Sequence, residues 1–189
     1  QEIIDLMERY VKPVYQEGDI LSMSEKVIAI CQKRVVTEEE LKPGFWAKVL
    51  SRFVHQTSAG PGMGLPIKMQ FAINVCGLPK ILWAAFRAAI DKLRGVRGTF
   101  YRIAGLEVSG LDGFYGEDIP EYEHRGVRIP ENPAGVCDEI FEKTGILSMI
   151  VDANDLNVEM LGHCSQLKES DEALLDLIRD NPAGQDRQL

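Results

Sequence analysis

Apolar residues recur along the chain with two different periods. Ile3, Leu6, Met7, Tyr10, Val11 and Val14 fall three and four apart, which predicts an amphipathic helix over 2–14. Gly18 and Asp19 then turn the chain, and Ile20 to Met23 reads as a strand. Ser24 is placed to cap a short helix reaching Cys31. Pro43-Gly44 precedes another helix, with Phe45, Trp46, Val49, Leu50, Phe53 and Val54 on one stripe. Pro66 suits the first turn of a helix through Cys76, and Gly77 stops it. The next helix covers 79–93, and Ile81, Leu82, Ala85, Phe86, Ala89, Ile90 and Leu93 are expected to face inward.

Gly95 and Gly98 bracket a basic turn, after which Thr99 to Leu111 reads as one or two strands. Residues 112–131 are irregular and rich in acids, Gly and Tyr, and loops of that length are usually functional or mobile. Asn132-Pro133 begins a helix through Lys143. An apolar, partly β-branched run from Ile146 to Val151 then reads as a buried strand, and Asp171 to Asp180 as a last helix. Helices and strands mix without a regular βαβ rhythm, which gives an α+β fold class with no internal repeat.

The length of 189 residues supports one substantial core or two small lobes. A 45% hydrophobic and 26% charged composition is that of an ordinary soluble domain. No apolar run approaches the roughly 20 residues that span a bilayer, so no membrane partner is expected. The net charge of −8 argues against unspecific nucleic-acid binding, which needs a basic footprint. Cys31, Cys76, Cys137 and Cys164 are scattered without a CxxC pair, so reduced, mostly buried thiols in a cytoplasmic protein are expected.

Three places could carry chemistry. The strand from Ile146 ends in Asp152, Asn154 and Asp155, oxygen ligands on a rigid support that suit a hard cation. A strand ending in an Asx turn explains the same residues. An EF-hand does not, because Leu156 falls on a ligand position. The second place is the loop Gly60-Pro-Gly62-Met-Gly64 before a helix, where glycines would let the backbone approach an anion; a plain connection fits it too. It is neither a Walker loop nor a dinucleotide fingerprint. The third is Asp112 within Gly110-Leu-Asp112-Gly-Phe-Tyr-Gly116, a carboxylate that could join the first cluster or serve the turn. Lys26 could meet a phosphate as a point charge or lie on the surface. His163-Cys164 has no second pair at metal-site spacing, and His55 and His124 are isolated.

Several segments together resemble the coenzyme F-420:L-glutamate ligase family, in a bacterial ligase-like branch. They are Glu17-Gly-Asp-Ile-Leu-Ser-Met-Ser24-Glu-Lys26, Thr57-Ser-Ala-Gly60-Pro-Gly62-Met-Gly64 with Met69-Gln-Phe-Ala-Ile73, and Arg97-Gly-Thr-Phe-Tyr-Arg-Ile-Ala-Gly105 leading to Leu111-Asp112-Gly113. Val151-Asp152-Ala-Asn154-Asp155 and Asp180-Asn-Pro-Ala-Gly-Gln185 complete the set, so the similarity spans essentially the whole chain. The resemblance implies a single ligase-like domain of mixed sheets with flanking helices, with a short N-terminal piece and a C-terminal strand beyond these residues. It implies a homodimer and an amide ligase that uses GTP and Mn or Mg to join L-glutamate to a coenzyme F-420 precursor. Asp112 and Asp152 fall on the family's metal positions, with Asp155 a third candidate. Lys26, Ser24 and the glycines Gly60, Gly62 and Gly64 fall on the nucleotide side. No protein nucleophile is implied.

The chain also departs from that pattern. After the strand aspartate the family has Thr and an arginine-rich run, where this chain has Ala153-Asn154-Asp155-Leu156-Asn157. The family's Glu-Gly-Arg becomes Gln32-Lys33-Arg34, and Asp-x-Ser-Asn becomes Asp112-Gly-Phe-Tyr115. Arg97 and Arg102 are the candidate replacements for the lost arginines. The departures motivate an alternative, a non-catalytic protein binding a nucleotide, a deazaflavin or another phosphorylated ligand. A third reading is an acyl-group enzyme for a different substrate.

Overall fold

A computed structural model of the chain describes residues 2–54, 62–114, 123–153 and 158–180, and mixes helices with two small three-stranded sheets. The chain divides into two units, Gln1–Lys33 with Pro130–Leu189, and Arg34–Ile129.

The first unit is built on a sheet of order β1-β5-β6, where β1 is Leu21–Ser24, β5 Ser148–Ala153 and β6 Val158–His163. β1 runs parallel to β5 and β6 antiparallel to it. Residues 148–151 are all buried, which is why the strand reads as a continuous apolar run rather than an alternating one. Helix α8, Pro133–Thr144, packs on this sheet through Cys137 and Ile140. Its start is fixed by Asn132, whose side chain accepts from the Gly135 N–H at 3.3 Å, and its end by Gly145 in the left-handed region at φ 78°. Gly162 on β6 lets α8 come close; a Cβ there would stand 2.6 Å from the Ala134 nitrogen. Helix α1, Glu2–Leu6, continues into a π-turn through Val11 and adds Ile3 and Met7 to the core. Helix α2, Glu25–Cys31, adds Ile28, and α9, Asp171–Asp176, adds Leu174.

The second unit joins helices α3, Phe45–Ser51, α4, Pro66–Cys76, and α5, Leu78–Leu93, to a sheet of order β2-β4-β3. Here β2 is Val35–Thr37, β3 Asp112–Gly113 and β4 Arg125–Val127, all antiparallel. Met63, Met69, Ala72, Ile81, Ala104 and Val108 form its main core, and Leu41, Phe71, Leu111 and Phe114 a second cluster.

The structure corrects three sequence expectations. Residues 99–111 are not strands but two short helices, α6, Thr99–Ala104, and α7, Leu106–Ser109, separated by Gly105 at φ 102°. Their β-branched and aromatic residues favour strand locally, yet Phe100, Tyr101, Ala104 and Val108 meet the core at helical spacing, so packing overrides propensity. The inward face of α5 carries Ile81 and Ala84, while Phe86 and Leu93 point outward. In α3, likewise, Ala47 and Ser51 are buried, whereas Phe45 and Trp46, and Phe53 just beyond the helix, are exposed. Strands β2, β4 and β6 have no counterpart among the expected elements, and β3 and β4 lie within the stretch 112–131 that was expected to be irregular.

Candidate functional site

In the first unit, strand pairing gathers the sequence candidates. Ser24 ends β1 and is in register with Val151, so Asp152, the next residue of β5, stands beside the start of α2. Ser24 caps that helix by accepting from the Lys26 N–H at 3.4 Å, and Lys26, half-buried, lies in its first turn. Ser24, Lys26 and Asp152 therefore share the carboxyl ends of two adjacent parallel strands, where open α/β sheets commonly hold ligands.

Sheet pairing adds a residue that sequence spacing could not. Asp152 faces Glu159 of β6 directly across the ladder, followed by Ala153 opposite Val158. Two carboxylates opposite each other repel, which is unfavourable in a sheet unless a cation or donor lies between them. Hard oxygen donors on neighbouring strands suit Mg or Mn. Glu159 was invisible in the sequence because β6 itself was. Asp155 and Gly60 lie outside the described residues. Among the described residues no group of three or more His, Cys, Asp or Glu is arranged to hold a metal ion.

The second unit positions the remaining candidates. Asp112 lies on β3 opposite Val127, and its Oδ1 accepts from the Gly113 N–H at 3.1 Å. Beside it is Lys68, a buried lysine in the first turn of α4. Burial pushes the Lys68 ammonium below its usual range, and the Asp112 carboxylate partly restores it. Lys68 sits four residues after Gly64, inside a helix whose apolar neighbours hide it from a sequence reading. Gly62 and Gly64 form a short 3-10 turn. Gly62 has φ 48° and packs so near the Tyr101 hydroxyl that a Cβ would come within 2.9 Å. Tyr101 also accepts from the Met63 N–H at 3.4 Å, so internal packing accounts for at least this glycine.

An ion network secures the segment leading to Asp112. Buried Arg34 donates through Nε to the Ile129 carbonyl at 2.6 Å and through Nη2 to Glu107 Oε1. Arg128 donates to Glu107 Oε2 from Nε at 3.1 Å and Nη2 at 3.0 Å, and its guanidinium lies 5.7 Å from the Phe71 ring centre. Glu107 on α7 is thereby tied to the residue before β2 and the residue after β4. Gln32, in contrast, belongs to the first unit, exchanging two 2.8 Å hydrogen bonds with the Glu131 backbone. Arg97 and Arg102 are exposed, and Arg102 donates to Thr99 Oγ1 at 2.9 Å.

His163 contacts Asp171 at 3.2 Å and the Cys164 carbonyl at 2.8 Å, and His124 contacts Glu38 at 2.6 Å. All four cysteines are free. Burial raises the Cys137 thiol to about 11 and pushes Cys164 and Cys31 upward as well, which makes these thiols poor nucleophiles. No family model and no curated protein matches the chain.

Proposed function

We propose that this protein is a nucleotide- and metal-dependent amide ligase for an anionic small molecule, of the coenzyme F-420:L-glutamate ligase-like fold. One observation carries the proposal. Parallel pairing of β1 with β5 brings Ser24 and Lys26 to the same strand ends as Asp152, with Glu159 across from it. A lysine supplies a point charge for phosphate, and paired carboxylates supply oxygens for Mg or Mn. The ion would offset phosphate charge when bound. Asp152 and Glu159 would hold it, and Lys26 would orient the phosphates.

The reaction balances without a protein nucleophile. The substrate carboxylate attacks the γ-phosphorus of GTP, giving an acyl phosphate and GDP. The amine then attacks the acyl carbon, phosphate leaves, and the amine's proton passes to solvent. The default substrates are a coenzyme F-420 precursor and L-glutamate, in a cytoplasmic homodimer. The protein's part is positioning and charge stabilisation.

Calorimetry with manganese, alone and with GTP, tests the site. Binding of GTP that needs manganese and is lost in Asp152→Asn supports it; release of GDP with a carboxylate and amine pair supports the reaction. Lys68 favours the second reading, a non-catalytic binder, because a buried ammonium already faces Asp112 and reduces its need for a metal. Ligand binding without turnover, unchanged in Asp112→Ala and Asp152→Ala, would select that reading.

A further inference from the structure

Helix α5 is apolar on two sides. Ile81 and Ala84 face the core, whereas Pro79, Trp83, Phe86, Ile90 and Leu93 recur four and three apart along another face. Trp83 is 55% exposed, Phe86 58% and Leu93 89%. The Trp83 and Phe86 rings lie side by side, tilted by 33° with centres 5.9 Å apart. Val96, in the turn after the helix, is also exposed. An amphipathic helix of a monomer leaves its outer face polar, so this stripe calls for a partner.

Charge indicates which partner. Residues 41–106 contain ten Lys and Arg but a single acid, Asp91. Asp91 adds little negative charge outside. Its side chain is mostly covered, accepts from Thr99 Oγ1 at 2.8 Å and pairs with Arg87 at 3.5 Å. Around the apolar stripe, Lys80 stands one turn before Trp83 and Arg87 one turn after it. Arg94 follows Ile90 by one turn, and Arg97 closes the loop. Pairing α5 with a second α5 would oppose these like charges, which disfavours self-association through this face. Tryptophan and leucine tips ringed by Lys and Arg instead match the chemistry of an anionic bilayer surface.

We propose that the outer face of α5 and the turn through Arg97 form a peripheral contact for anionic lipid bilayers. Trp83, Phe86, Leu93 and Val96 enter the headgroup boundary, while Arg94 and Arg97 meet lipid phosphates; the Lys80 ammonium donates to the Ala104 carbonyl at 3.3 Å and stays with the protein. The contact is with the surface alone; no single helix among the described residues is long and apolar enough to cross a membrane. The chain's net charge of −8 does not prevent it, because salt screens charges beyond about 8–10 Å.

The test uses the full chain and sedimentation with vesicles of phosphatidylcholine, with or without roughly 30% phosphatidylglycerol. Protein should pellet with the anionic vesicles, stay in solution with the neutral ones, and be released by about 0.5 M salt. In Trp46→Phe, where Trp83 is the remaining tryptophan, emission should shift to the blue on anionic vesicles. Trp83→Ala with Leu93→Ala, and separately Arg94→Glu with Arg97→Glu, should each weaken partitioning at least tenfold while circular dichroism stays unchanged. No pelleting with either vesicle, or pelleting that both variants retain, would overturn the proposal. So would a dimer in sedimentation velocity that Leu93→Asp dissociates, or binding to a single-stranded oligonucleotide that outcompetes the vesicles.

Discussion

Removing the Glu107 carboxylate should loosen the segment that carries Asp112. Glu107 is shared by Arg34 and Arg128, and both its oxygens are engaged. Arg34 is only 8% exposed, so Glu107→Ala would take a carboxylate partner from a guanidinium with little access to water. Breaking a fully buried pair typically costs about 3–5 kcal/mol. Glu107 is itself 32% exposed, so solvent screening reduces the expected loss to about 2–3 kcal/mol. Glu107→Gln keeps one acceptor oxygen and loses the charge, so about 1–2 kcal/mol is expected. With a urea slope of about 2 kcal/mol per M, the alanine midpoint should fall by about 1 M and the glutamine midpoint by roughly half as much. Removing Arg128 as well should cost less than the sum of the two single losses, because the partners are shared. An alanine midpoint within about 0.2 M of wild type would refute the idea that this network holds the segment.

Glu159→Gln should raise stability slightly in chelator, by up to about 0.5 kcal/mol, because it relieves the cross-strand repulsion with Asp152; it should also weaken manganese binding, and unchanged affinity in calorimetry would exclude Glu159 as a ligand. The folded Lys68 pKa lies below 10.5, so between those values the unfolded chain holds the extra proton and stability rises with pH. Urea midpoints from pH 8 to 10.5 should therefore rise more steeply in wild type than in Lys68→Met, and parallel curves would refute this. Gly113→Ala places a Cβ against the Arg125 carbonyl and 2.9 Å from the Gly126 Cα, at a φ of 102°. Both obstacles are backbone, so a loss above about 2 kcal/mol is expected, read as a lowered melting temperature. Native protein should leave Cys137 and Cys164 unreacted with a thiol reagent until denatured, since both are fully covered.

Periodicity and punctuation made much of the helical framework legible. Pro66 and Gly77 bound α4, Asn132-Pro133 and Gly145 bound α8, and Ser24 caps α2, because these residues restrict or satisfy the backbone locally. The buried strand ending at Asp152 was equally readable, since β5 is covered on both faces and shows as an unbroken apolar run. What local chemistry could not decide was which apolar residues meet the core. Residues 99–111 look like strand until Ala104 and Val108 find their neighbours, and α5 has two apolar faces of which the sequence alone cannot choose one.

The candidate site divides in the same way. Ser24, Lys26, Asp112 and Asp152 stood out in the sequence because acids and a lysine at the ends of apolar runs are conspicuous there. Their grouping was set by pairing over long separations. The register of β1 on β5 pairs Ser24 with Val151, one residue before Asp152, and that of β5 on β6 sets Glu159 against Asp152. Lys68 meets Asp112 only through the packing of the second unit. Local sequence determines backbone torsions and caps within a few residues, whereas contacts between distant segments follow from which arrangement buries the most apolar surface. The sequence thus determined where this chain turns and caps its helices, and the tertiary structure alone decided which charged residues come together and which aromatic side chains remain in water.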